Sequence, residues 1–147
     1  MNIHKFYLLI CLTSFISLNI FAADKFQIPK ERHKDLVGSW KVIKMGKIGG
    51  KLQDIPNGRE MLLTFQADGS GTQLKRKQVK DIVWGANKDG LFTMQWKQEN
   101  GNGDGVMGAW IVIKGGIRLE LTEYEDSKIP EDKFVMIIKS IVDEKKK

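Results

Sequence analysis

Glu60-Met61-Leu62-Leu63-Thr64-Phe65-Gln66-Ala67-Asp68-Gly69-Ser70-Gly71 decides the fold. Met61, Leu63 and Phe65 alternate with Glu60, Thr64 and Gln66, the two-residue period of a half-buried strand. Asp68-Gly69 then supplies a turn that tolerates positive φ, so the chain reverses as a hairpin. A strand followed directly by a hairpin turn points to antiparallel β-structure.

The same signature recurs on both sides. Alternation predicts strands over 39–44, 60–66, 72–80, 81–85, 91–97, 106–114, 117–123 and 133–142. Trp40 with Val42, Ile82 with Trp84, and Phe92 with Met94 and Trp96 would face inward. So would Ile117 with Leu119 and Leu121, and Phe134 with Met136 and Ile138. In the third strand the inward set would be Thr72, Leu74 and Arg76. Segment 106–114 is apolar on both faces and leaves its register open. Asn87-Lys88-Asp89-Gly90 and Gly115-Gly116 read as further hairpin turns, and 47–57 as a loop. Eight short strands with hairpin-scale links favour an all-β, eight-stranded antiparallel up-and-down barrel. Closure removes two adhesive edges, and an open sandwich is the competing architecture.

The ends of the chain set the compartment. Lys5 precedes an apolar run from Phe6 to Phe21, and Ala22-Ala23 follows before Asp24. That order reads as a signal peptide over 1–23, leaving one barrel domain over 24–147 in an exported protein, periplasmic or secreted. Cys11, the single cysteine, would leave with the signal, so no disulfide is expected. Pro29 followed by Lys30-Glu31-Arg32 predicts a short helix or 3-10 turn leading into Leu36, before the first strand. The formal charge of +6 permits contact with anionic surfaces, although simple solubility of an exported domain is the better reading of it. No nucleic-acid partner is expected, and at most peripheral membrane contact.

Leu36-Val37-Gly38-Ser39-Trp40 resembles the first-strand motif of the lipocalins, a Gly-x-Trp directly after a short helical lead. The stretch from Leu63 to Gly71, and Trp84 before the 87–90 turn, are similar to bacterial lipocalin-like domain proteins. The resemblance spans Leu36 to Val142. It implies a small calyx with Gly38 and Trp40 as structural residues at its closed end. It also implies a basic residue from a late strand over Trp40, for which Arg118 and Lys139 are the candidates.

Chemistry is thinly represented. His33 is the only histidine beyond the expected signal, and it has no cysteine or second histidine with which to hold zinc. No serine has a base in a recognisable arrangement, so no catalytic residues are assigned. Asn100-Gly101-Asn102-Gly103-Asp104-Gly105 opens like a calcium loop, but Ile111 stands where a bidentate Glu is needed, and a turn is the better reading. Neither a metal nor a cofactor is expected. The candidate ligand-binding residues are Arg76, Trp84, Phe92, Met94 and Trp96, with Arg76 placed to meet an anionic group if the third strand runs on; the basic run Lys75-Arg76-Lys77 favours the alternative, a strand that ends or bulges near Lys75 and leaves Arg76 in solvent. The expected function is a non-enzymatic lipocalin-like protein whose partner is a small hydrophobic or amphipathic molecule. The alternative is a protein-binding module, an exported inhibitor or envelope accessory factor, with a solid barrel core.

Overall fold

The computed structural model describes residues 28–98, 103–124 and 133–144. The expected signal over 1–23, Cys11 within it, residues 99–102 of the Gly/Asn loop and the loop over 125–132 lie outside the described residues.

Nine strands form one antiparallel sheet: β1 (Gly38–Lys47), β2 (Gln53–Asp54), β3 (Met61–Phe65), β4 (Ser70–Lys75), β5 (Gln78–Ala86), β6 (Leu91–Trp96), β7 (Gly105–Ile113), β8 (Gly116–Tyr124) and β9 (Lys133–Ser140). Each strand from β3 to β9 pairs with the next in sequence, and β1 pairs with both β3 and β9. Eight strands therefore close into a barrel, and β2 is a two-residue rider on β1 within the segment expected to be a loop. The antiparallel eight-stranded closed architecture agrees with the period-two reading.

Of the short helix or 3-10 turn expected before β1, the described residues show the 3-10 form, and no helical turn forms over residues 28–33. Arg32 forms a parallel bridge to Ala86, the Glu31 carbonyl accepts from Ala86 N–H, and His33 N–H donates to Ala86 O. Residues 31–33 spend their backbone groups on the free end of β5 rather than on a helical turn. Among the described residues, the helical content before β1 is a three-residue 3-10 turn, Lys34–Leu36. At the other terminus β9 ends at Ser140, and one helical turn, α1 (Ile141–Glu144), replaces the last predicted strand residues.

The larger correction concerns 72–85. The chain reverses at Arg76-Lys77, between Lys75 and its partner Gln78. Both turn residues have positive φ, 51° and 66°, as a two-residue I′-type turn demands. Neither is Gly, Asn or Asp, so the usual signal for such a turn is missing from the sequence.

The face of β4 is also the reverse of the expected one. The Asp68-Gly69 hairpin sets Gly71 opposite Phe65, Gln73 opposite Leu63 and Lys75 opposite Met61. Cross-strand partners share a face, so Gly71, Gln73 and Lys75 point inward and Thr72 and Leu74 outward. Only glycine fits at position 71, because a Cβ there would collide with the Thr64 carbonyl. Gly38, by contrast, is required by its backbone: φ is +139°, while a side chain would meet only Trp40 Nε1 at 3.9 Å.

The interior has two levels. At the end holding the 66–69, 87–90 and 114–115 turns, Leu36, Trp40, Phe65, Trp84, Phe92 and Trp110 pack solidly. Phe65 lies 5.0 Å from Trp84 and 5.7 Å from Phe92, centroid to centroid. Three indole N–H groups there donate to backbone carbonyls: Trp40 to Leu36 at 2.8 Å, Trp84 to Gln66 and Ser70 at 3.0 and 3.1 Å, and Trp110 to Asn87 at 3.1 Å. Burial thus leaves no indole donor of this floor without a partner.

Asp68 seals the β3–β4 turn by accepting from the Ser70 hydroxyl at 2.6 Å and its amide at 2.8 Å. Those bonds favour the carboxylate and hold its pKa below the usual value. The turn is therefore fully sealed above the ordinary carboxylate range and loosens as pH falls through the lowered value. Asp68→Ala is expected to be less stable than the parent at neutral pH, and the gap to close in acid, as read from urea unfolding at both pH values. Replacing the strained turn by Arg76→Asn with Lys77→Gly is expected to stabilise the barrel by about 1 kcal/mol. The check is a higher urea midpoint at unchanged slope.

Candidate functional site

The end opposite the aromatic floor is built differently. Strand β1 leaves β3 after Lys41, and its upper half pairs with β9 on one side and β2 on the other. A bulge at Ile43 separates Val42, opposite Ile138, from Lys44, opposite Ile137. One extra residue inverts the alternation. Val42 points inward below the bulge, and Met45 and Lys47 point inward above it, opposite Met136 and Phe134.

The barrel mouth is a cavity of about 420 Å³. Met45, Met61, Met94 and Met136 line it with Val106, Phe134 and Trp96, and Gln73 lies among them. Lys47, Lys75, Lys133 and Glu123 stand at its rim. Methionine is unbranched and polarisable, so four of them make an apolar wall that adapts to irregular shapes. A second, more open cavity of about 730 Å³ lies in the seam between β1 and β3, roofed by residues of the 48–60 segment. The two share Met45, Lys47, Met61 and Lys75.

Gln73 is the polar element at depth. Trp96 Nε1–H donates to its Oε1 at 2.6 Å, and its Nε2 donates to Met61 Sδ at 3.5 Å. Both ends of the amide are therefore occupied. The Lys80 ammonium lies 6.0 Å from the Trp96 ring centre, from the adjoining strand.

The candidate residues named from sequence are not one cluster. Met94 and Trp96 line the mouth. Trp84 and Phe92 are wholly buried in the floor, packed against Phe65. Arg76 sits exposed at the tip of the β4–β5 turn rather than on an inward face, because the turn comes four residues before the predicted strand end. It borders the seam cavity and a third cavity, of about 370 Å³, beside Lys80 and Trp96, outside the mouth itself.

The basic neighbour expected over Trp40 is not supplied by Arg118 or Lys139. Arg118 Nε donates to Glu120 Oε1 at 2.8 Å on the outer face of β8, and Lys139 lies opposite Lys41. The cation over a floor indole is Arg32, 5.8 Å from the Trp84 ring centre, brought there by the bridge to Ala86.

Sequence reasoning missed Met45, Met61 and Gln73 as site residues. Met61 had the right period, but its pattern is the same as that of Leu63 and Phe65 on the same face, so nothing singled it out. Met45 was hidden by the bulge, and Gln73 by the inverted face. Among the described residues no three His, Cys, Asp or Glu side chains converge as a metal site would need.

Gln73→Leu is expected to leave the Trp96 indole N–H without an acceptor and to cost about 1–3 kcal/mol. Urea unfolding reads the loss, and a shift of the native Trp emission reads the change around Trp96. Comparison with known protein families, with curated proteins and with solved structures found no match to this chain.

Proposed function

We propose that the protein is an exported, non-enzymatic barrel of lipocalin-like type that holds a small amphipathic molecule in its mouth. The carrying observation is the methionine-lined cavity of about 420 Å³ above a sealed aromatic floor. That volume lies within the usual range for small-molecule sites, and an eight-stranded barrel has room for one small ligand. An apolar tail would lie against Met45, Met61, Met94 and Met136, gaining from burial at roughly 25 cal/mol per Å² of apolar surface. Three lysines and one glutamate at the rim favour a negatively charged head.

Export rests on the Lys5, Phe6–Phe21 and Ala22-Ala23 pattern. The lipocalin-like assignment rests on the Gly38-x-Trp40 start together with the closed eight-stranded barrel.

Native mass spectrometry of the purified protein is expected to show a co-purifying amphiphile. A fluorescent fatty-acid analogue is expected to bind and to take up Trp96 emission. Met45→Trp fills the cavity near its rim and is expected to weaken the probe about tenfold, equivalent to about 1.4 kcal/mol. Ile111→Thr, on the outer wall near the floor, should change nothing. Probe binding that Met45→Trp leaves intact, with an unchanged urea midpoint, would defeat the reading.

A further inference from the structure

Two long cations occupy the worst positions for them in the barrel. Arg76 and Lys77 both sit at positive φ in a two-residue turn that Asn-Gly would fill without strain. Strain of this kind persists where something beyond folding uses it.

The turn projects from the open end, whose described rim is mostly basic, with Asp54 and Glu123 among the cations. Lys51, Arg59, Lys75 and Lys80 are also exposed there, bordering the cavities of that end. Val79, three residues past Arg76 on the outer face, is 65% exposed, and Ile48 at the end of β1 is 40% exposed. Exposed cations with exposed aliphatic side chains beside them are what an anionic bilayer surface accepts. The cations meet the headgroups, and the aliphatic groups enter the boundary with the acyl chains. The closed end also exposes aliphatics, Ile111 at 47% and Val112 at 61%, but its cations are scattered: Lys34 is followed by Asp35, Lys88 by Asp89, and Lys114 stands alone, whereas Lys75, Arg76 and Lys77 are contiguous.

We propose that the open end of the barrel docks on an anionic lipid bilayer through Arg76, Lys77 and Val79, with the mouth facing the membrane. The rim residues carry this inference whether or not the cavity is occupied. It therefore fails independently of the ligand-binding reading.

The test is flotation of the purified protein with phosphatidylcholine vesicles containing about a third phosphatidylglycerol, against phosphatidylcholine alone. Binding is expected to the anionic vesicles and to fall away at high salt, as screening shortens the reach of the charges. Arg76→Asn with Lys77→Gly removes two cations and relieves the turn, so it cannot act by unfolding. It should weaken binding about tenfold or more. Lys88→Gln with Lys114→Gln removes the same charge at the opposite end and should leave binding within about twofold. Val79→Asn should weaken vesicle binding while leaving adsorption to a DNA oligonucleotide unchanged, which separates a bilayer from a generic polyanion. The proposal is overturned by no preference for anionic vesicles, by equal losses from the two charge pairs, or by vesicle binding indifferent to Val79.

Discussion

Strand β1 must serve two neighbours at once, and the rest of the barrel depends on how it does so. Gly38 to Lys41 hydrogen-bond to β3, while Trp40 to Lys47 pair with β9. Only the overlap around Trp40 and Lys41 ties both seams together, and closure of the sheet hangs on it. Without that junction β3 and β9 would each expose an edge of unpaired backbone groups. The Ile43 bulge lets the strand turn from one neighbour to the other without breaking the β9 ladder. Because β1 leaves β3 early, the seam opens at the top. The mouth and the side cavity are consequences of the same departure.

The two levels of the interior follow from which side chains this geometry places where. Below the bulge, aromatic rings fill the section, and each buried indole there finds a carbonyl in a turn or in the lead to β1. Turns and core are thereby fastened to one another, so the floor is expensive to rearrange. Above the bulge, where Trp96 and Phe134 are the remaining rings, four methionines make most of the apolar wall. They fill space without demanding one packing, and they contribute no hydrogen-bonding group that must be met. Rigidity is concentrated at one end, and the capacity to adapt at the other.

Much of this was legible in the sequence, and the misses share a cause. Strands β1, β3, β6, β8 and β9 show their inward sets directly as alternating apolar residues. Asp68-Gly69 and Asn87 to Gly90 announce their turns through residues that accept positive φ. The Arg76-Lys77 turn gives no such sign, because its residues are poor at what the backbone asks of them. Once that turn was overlooked, β4 and part of β5 merged into one strand. The face of β4 was misjudged for a different reason. Leu74 invited an inward assignment, whereas the register from the Asp68-Gly69 hairpin turns Gln73 inward. Register is a long-range property, so local hydrophobicity could not reveal it. Nor could a helix-compatible Pro29 to Arg32 segment reveal that Ala86, far along the chain, would claim its backbone.

The inward Gln73 separates the two levels chemically. A buried amide between apolar layers is unfavourable unless both its donor and its acceptor are met. Trp96 supplies a donor and Met61 a weak acceptor, both from within the wall of the mouth. A molecule entering from the rim therefore meets, among the described residues, a Gln73 amide already engaged at both its oxygen and its nitrogen. Its buried part gains by fitting the methionine wall, and a hydroxyl or amide carried that deep would exchange its water for a share of an amide already in use. Polar groups on such a molecule are worth most at the rim, where Lys75 and Glu123 stand. The inverted face of β4 thus orients an occupant, apolar end inward, through a residue that need not itself bind to it.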